Sequence, residues 1–454
     1  MVGEVVRRAG VVAWVALGAC ASAEPYVAPP RDGSVLDVTA PAIDATAPTI
    51  DRPGDDWGIA PDRPAPIDAP DVAVVVDVPV DVRPAGFGRL GTTARDGDTV
   101  TLRTHPTVNY RGVDTAYDPV HRVFLVVYGN APIGGAFLDD EGRQIGDGFA
   151  LTDNTHWTQN PRVAWGGGGF LASWHREAGR AVAPLVRGVG YAPSGPVFAG
   201  EATVIGPAGS MQESCVSLAW SGEASEFLAV WSFNGVHARR IGADGAPRGD
   251  VLTFTDPGVW TEQPSVVWSA AARAYFVVFM QTSGALARVA LQRLDATGAA
   301  MGALRDLTGP IAFAKVTDVA YDAADGAVIA TWYQVRDGVR GFAAQRFGAD
   351  GEARGAAATV FAPHGSYDGY DLAWSPATGT SFAAFHGEGA SAMGAELGEG
   401  LRASAPFAVT ASGSRNGDYL PRVVAHPSRP LWLVLSSADY ARVVLQRVTW
   451  RGAP

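Results

Sequence analysis

Residues 216–231 read Val216-Ser-Leu-Ala-Trp220-Ser-Gly-Glu-Ala-Ser-Glu-Phe227-Leu-Ala-Val-Trp231: two apolar runs, each closed by tryptophan, with a polar turn between them. Runs this short, bounded by turn residues, read as a pair of antiparallel strands rather than as a helix. The chain continues into Val236-His-Ala-Arg-Arg-Ile-Gly-Ala-Asp-Gly245, a third strand ending on a hairpin signal, and then into Val251-Leu-Thr-Phe254, a short fourth strand. Asp-Gly suits such a turn because glycine takes positive φ at little cost.

The unit recurs. Its first strand ends on an aromatic at Tyr117, Trp165, Trp220, Trp268, Tyr321 and Trp374, and a seventh copy, Pro421-Arg-Val-Val-Ala-His426, carries histidine in that slot. Successive landmarks lie 48, 55, 48, 53, 53 and 52 residues apart, a spacing that matches one propeller blade of four strands. The last unit stops after its third strand, 441–448, whereas 98–105 precedes the first landmark as a fourth strand should. Pairing the two closes a ring of seven blades and removes exposed sheet edges. The second unit is irregular: 180–187 lacks the usual turn and a longer connection follows it.

The expected fold is therefore all-β, a seven-bladed propeller over residues 87–454 closed by its terminal strands. Its units, an aromatic-ended strand, then Phe-Leu-Ala-Val-Trp, then Ala-x-Arg-x-x-x-Asp-Gly-x-x-x-Gly, clearest at 227–249, resemble those of secreted bacterial lipoproteins with propellers of about 50-residue repeats. That resemblance implies an architecture and an exported setting. It carries over no catalytic residue. The Trp-Asp ending of WD repeats and the Asp-box of sialidases are missing.

Upstream, Arg7 and Arg8 precede a short apolar stretch, Val11 to Leu17, and then Leu17-Gly18-Ala19-Cys20. This is a targeting signal, too short to span a bilayer, and it resembles a bacterial lipobox that would place a lipid on Cys20. Cleavage after Ala21-Ser22-Ala23 is the ordinary alternative. With Ala21 rather than aspartate after the cysteine, the resemblance implies an outer-membrane or cell-surface address. Residues 20–86 hold 12 of the 31 prolines and carry net −8, so this segment reads as an acidic, disordered tether. The valine-rich piece 72–82 is the part of it able to pair as a strand.

Composition and motif searches limit the function. A formal charge of −11, with no basic run and Lys315 the sole lysine, argues against nucleic-acid binding. No nucleophile elbow, zinc helix, phosphate loop or Cys-x-x-Cys pair occurs, so neither a cofactor nor a metal is expected, and Asp139-Asp140-Glu141-Gly142 reads as a hairpin turn rather than a calcium loop.

Loops from each fourth strand to the next first strand, and from second to third, open on one face. Seven or eight residues before the landmarks stand Tyr110, Trp157, Gln212, Trp260, Phe313, Tyr367 and Tyr419, six of seven aromatic. With Gln159, Glu213, Glu262, Asp371 and Asp418 nearby, they suit a binding mouth in which aromatic faces stack on sugar rings or peptide side chains. The same aromatics equally suit packing wedges between blades. The leading expectation is a non-enzymatic, monomeric binding or interaction propeller, anchored to a membrane by its lipid, with a glycan, a peptide or an envelope protein as partner. Alternatives are a glycoside hydrolase or lyase using paired carboxylates such as Glu213, Glu262, Asp371 and Asp418 at the central mouth, and a purely structural envelope component.

Overall fold

The computed structural model describes residues 87–452 apart from 105–111, 130–131, 154–155, 179–180, 208, 211–215, 256–258, 362–368, 388–390, 411–417 and 439–440. Cys20, the leader and residues 20–86 lie outside the described residues, as do Tyr110, Gln212, Glu213 and Tyr367.

Seven antiparallel sheets form a seven-bladed β-propeller; five are ordered by sequence, the second carries an additional short strand, and the last is completed by the first strand of the chain. Blade 3, which contains the opening stretch, has strands Ser217–Ser221, Glu226–Ser232, Val236–Gly242 and Pro247–Thr253. The second strands are deeply placed: Val123–Gly129 in blade 1 and Leu431–Ala438 in blade 7 are buried at every residue. The outer strands, such as Pro247–Thr253, stay largely accessible. The irregular second unit is a long hairpin, Ala181–Ala192 turning directly into Gly195–Val204, with Gly209–Ser210 added to the start of the third strand.

The apolar core is divided among the joints between blades. Seven clusters each draw from two neighbouring blades, for example Leu171 and Val186 of blade 2 with Phe227 and Trp231 of blade 3. The seventh joins Phe124 and Leu138 of blade 1 to Leu433 and Leu435 of blade 7. Each sheet thus buries both faces against its neighbours, and only a closed ring leaves none bare.

Closure runs through the strand Thr92–Thr104, which lies antiparallel to Arg442–Arg451 from Thr92 opposite Arg451 to Thr104 opposite Arg442. Before it, residues 87–91 cross the turns of blade 6. Gly88 N–H donates to the Thr378 carbonyl (2.9 Å), Glu399 N–H to the Gly88 carbonyl (2.8 Å) and Gly91 N–H to Glu396 Oε2 (3.1 Å), with the Phe87 ring against Gly379. These turns lie on the face opposite the mouth.

At the closing joint His426 fills the aromatic slot. It is 1% exposed, packs against the Tyr117 ring at 4.9 Å, and binds Asp140 through Nε2 (2.9 Å). The backbone N–H groups of Ser428 and Arg429 donate to His426 Nδ1, so Nε2 bears the proton. Burial alone would raise Asp140, but Arg122, Tyr117 and His426 together hold it far below the usual carboxylate range. The Asp139–Gly142 turn is accordingly part of a joint: Asp139 accepts the backbone N–H groups of Glu141 and Arg143, and Arg429 reaches Asp140 and Glu141.

Candidate functional site

The first strands of blades 2 and 4 start at the mouth with matching sequences, Trp157-Thr-Gln-Asn-Pro-Arg162 and Trp260-Thr-Glu-Gln-Pro-Ser265. Both have a β-bulge, between Gln159 and Arg162 and between Glu262 and Ser265, with Asn160 at φ 55° and Gln263 at φ 50°. Each of these precedes a proline, a position that ordinarily favours extended backbone, so the left-handed conformation is imposed by the fold. The extra residue shifts the side-chain alternation. Over the first six residues of both strands the accessible positions become the tryptophan, the residue two further on, and the residue five further on.

Trp157 and Trp260 are 50% and 44% exposed, and neither belongs to any of the seven hydrophobic clusters. Their equivalent in blade 5, Phe313, does pack as a wedge, edge-on to Tyr333 at 6.1 Å. The two readings of the repeated aromatic therefore divide by blade. Trp260 Nε1 donates to Glu262 Oε1 (2.6 Å), which fixes the indole, and Gln159 Nε2 donates to Glu177 Oε1 (2.7 Å). Burial raises Glu177 above its ordinary value. Beneath Gln159, its cross-strand partner His175 is 2% exposed, and burial pulls its imidazole down to about 4.

Below the mouth lies a polar girdle. Three residues before the first six landmarks stand Asp114, Arg162, Ser217, Ser265, Asp318 and Asp371, four before the seventh stands Arg422, and all seven are half-buried. Four of them accept a backbone N–H from the next blade: Asp114 from Val163 (2.9 Å), Ser217 from Val266 (3.1 Å), Asp318 from Leu372 (2.7 Å) and Asp371 from Val423 (2.6 Å). The girdle thus bonds innermost strands that have no sheet ladder between them. It also gathers charge at the axis, since Arg162 feels Arg422, Asp114, Asp371 and Asp318 from four other blades. Burial, and next the Asp371 carboxylate, push Asp318 well above the usual range.

Of the candidates from sequence, Trp157 and Gln159 lie on one of the two matching strands and Trp260 and Glu262 on the other. Asp371 is placed in the girdle, inside the strand Tyr370–Trp374, bonded to Val423 and to Arg422 Nη1 (3.3 Å) rather than exposed in a loop. Asp418 and Tyr419 open the first strand of blade 7, and their side chains lie outside the described residues. Sequence reasoning did not single out Asp114, Arg162, Ser217, Ser265, Asp318 or Arg422. The signal was a polar residue three before the first six landmarks and four before the seventh, in a largely apolar strand.

No family model matches the chain, and no curated protein matches it. Among solved structures it is similar to the Raptor protein of Chaetomium thermophilum (TM-score 0.50, 9% identity, 78% of this chain and 30% of that one). Likenesses to a GH43 endo-arabinanase from Bacillus licheniformis (TM-score 0.33, 13% identity, 56% of this chain and 99% of that one) and to AofleA from Arthrobotrys oligospora (0.42, 12%, 80% and 88%) are looser. At such identities the likeness is one of fold, and it leaves the chemistry of the mouth to be argued from its own residues.

Proposed function

We propose that this propeller is a non-enzymatic binding module whose ligand enters at the mouth over Trp157 and Trp260. One observation carries the reading: two indoles at equivalent places are half-exposed and unused by the core, each with a hydrogen-bonding side chain two residues further on. An indole face suits a sugar ring or an apolar side chain, and the neighbouring polar groups fix its orientation. The test is a glycan-array and envelope pull-down screen with the full chain beside the Trp157→Ala/Trp260→Ala double variant. Ligand capture lost in the variant with folding retained supports the mouth; capture retained refutes it.

A second reading, a glycoside hydrolase or lyase, rests on the raised Asp318 beside Asp371 as an acid and its partner. Against it, both carboxylates are committed to backbone donors of the next blade. Hydrolysis of a captured glycan by the wild type, abolished in Asp318→Asn, would establish that reading instead. Export and a lipid on Cys20 belong to the same proposal and rest on the residue pattern 7–20.

A further inference from the structure

Each of the two exposed indoles has a carboxylate for a neighbour. Trp157 stands directly opposite Glu177 in the ladder, about 5 Å away between Cβ atoms, and Trp260 is bonded to Glu262. Phe313, the wedge of blade 5, has Val335 opposite and Lys315 two further on instead. Among the described residues neither Glu177 nor Glu262 has an ion pair. Carboxylates on the opposite face do: Asp140 meets Arg122 and Arg429, Glu223 meets Arg273, and Asp322 meets Arg346.

The blade 2 group is the more open of the two. Gln159 spends its amide N–H on Glu177 Oε1, which leaves Gln159 Oε1 and Glu177 Oε2 as neighbouring acceptors that receive no donor among the described residues and are not sealed from solvent. Glu262, by contrast, spends Oε1 on the Trp260 indole, and its Oε2 is sealed, so in blade 4 the carboxylate contributes charge rather than a contact. No internal cation answers Glu177. His175 below it is pulled down to about 4 and is neutral at pH 7, and Arg176, paired with Thr158, lies on the other side of the sheet. Burial accordingly raises Glu177 with nothing to offset it.

Two acceptors, one of them anionic, call for a donor that carries positive charge. An indole face attracts a cation as well, and long basic side chains lay an apolar stem along such a surface while the head reaches a polar edge. A neutral sugar would stack on the ring but leave the carboxylate uncompensated. Resting on the mouth as the binding site, we infer that the ligand is a basic peptide segment: the stem of a lysine or arginine lies on the Trp157 indole, and its head donates to Glu177 Oε2 and Gln159 Oε1. Trp260 and Glu262 offer a further basic residue a face and a charge of the same kind. The net charge of −11 draws such a partner in.

The test is calorimetric titration of the full chain with trilysine, its ε-acetylated form and the glucosamine trimer, in wild type, Glu177→Gln, Trp157→Ala and Asp250→Asn. Trilysine should bind the wild type and weaken as salt rises from about 50 to about 500 mM. Acetylation keeps the stem and removes the charge, and should lower the affinity about tenfold or more. Glu177→Gln should lose as much with the melting temperature unchanged, since glutamine still accepts from Gln159, and Trp157→Ala should weaken trilysine likewise. Asp250→Asn, on the exposed outer strand of blade 3, should bind as the wild type does and so separates the site from general attraction to an acidic protein. Equal binding of the acetylated peptide, undiminished binding in Glu177→Gln or Trp157→Ala, an equal loss in Asp250→Asn, preference for the glucosamine trimer, or no binding of trilysine overturns the inference. If Glu177→Gln is silent while the double tryptophan variant still loses its captured ligand, this inference alone falls. If the double variant captures its ligand normally, the mouth falls with it.

Discussion

Exchange of His175 for glutamine isolates one acid-sensitive group beneath the mouth. The imidazole is 2% exposed, and burial lowers it from 6.5 to about 4. Between those values the unfolded chain binds a proton that the folded chain refuses, so stability is fully present above 6.5 and falls as pH drops through the window. Integrating the difference from neutral pH down to about pH 4.5 gives a loss of about 2.5 kcal/mol from this residue. Glutamine keeps much of the volume and hydrogen-bonding capacity but cannot titrate. Urea unfolding followed by tryptophan fluorescence, at about pH 7.5 and about pH 4.5, should therefore show a smaller acid loss in His175→Gln than in the wild type by roughly that amount. An equal loss in both proteins, or an imidazole that titrates near 6.5 by NMR in the folded state, would refute the reasoning.

Asp371→Ala should destabilise by about 2–4 kcal/mol in denaturant unfolding, because it strips an acceptor from the Val423 N–H and from Arg422 at once. Asp371→Asn, which keeps an acceptor, should cost clearly less, and equal costs would show that the carboxylate is no staple. Labelling cells with radioactive palmitate should mark the wild-type chain but not Cys20→Ala, and the variant should appear in the soluble fraction; labelling of both would move the lipid elsewhere.

The blades were legible because each of their signals is local. An aromatic-ended strand, a second apolar strand and an Asp-Gly turn are each contained in a few residues, and their recurrence needs no knowledge of space. Closure was legible because an unpaired strand at one end of the repeat array matched a vacancy at the other. The girdle was not. Arg162, Asp318 and Arg422 lie far apart in the chain, and what unites them is convergence on an axis that exists only once the ring has formed. The division of the mouth aromatics was hidden for a related reason. Phe313 and Trp260 occupy the same place in the repeat, yet Phe313 finds Tyr333 edge-on while Trp260 finds the Glu262 carboxylate two residues on. The bulge was foreshadowed by proline after Asn160, Gln263 and Leu420, which reads equally well as an extended stretch until the strands are paired.

The crossing of blade 6 by residues 87–91 has a mechanical consequence. The closing strand begins at Thr92, beside the outermost pairing with Arg451. Tension reaching Thr92 directly would peel that strand from blade 7 one rung at a time, the weakest way to load an antiparallel pair. Because Gly88 and Gly91 are first fastened to Thr378, Glu399 and Glu396, a pull from residues before 87 is taken up by the turns of a neighbouring blade. The strap acts as strain relief for the clasp of the ring. It also takes the load on the face opposite Trp157 and Trp260, away from the strand starts that form the mouth.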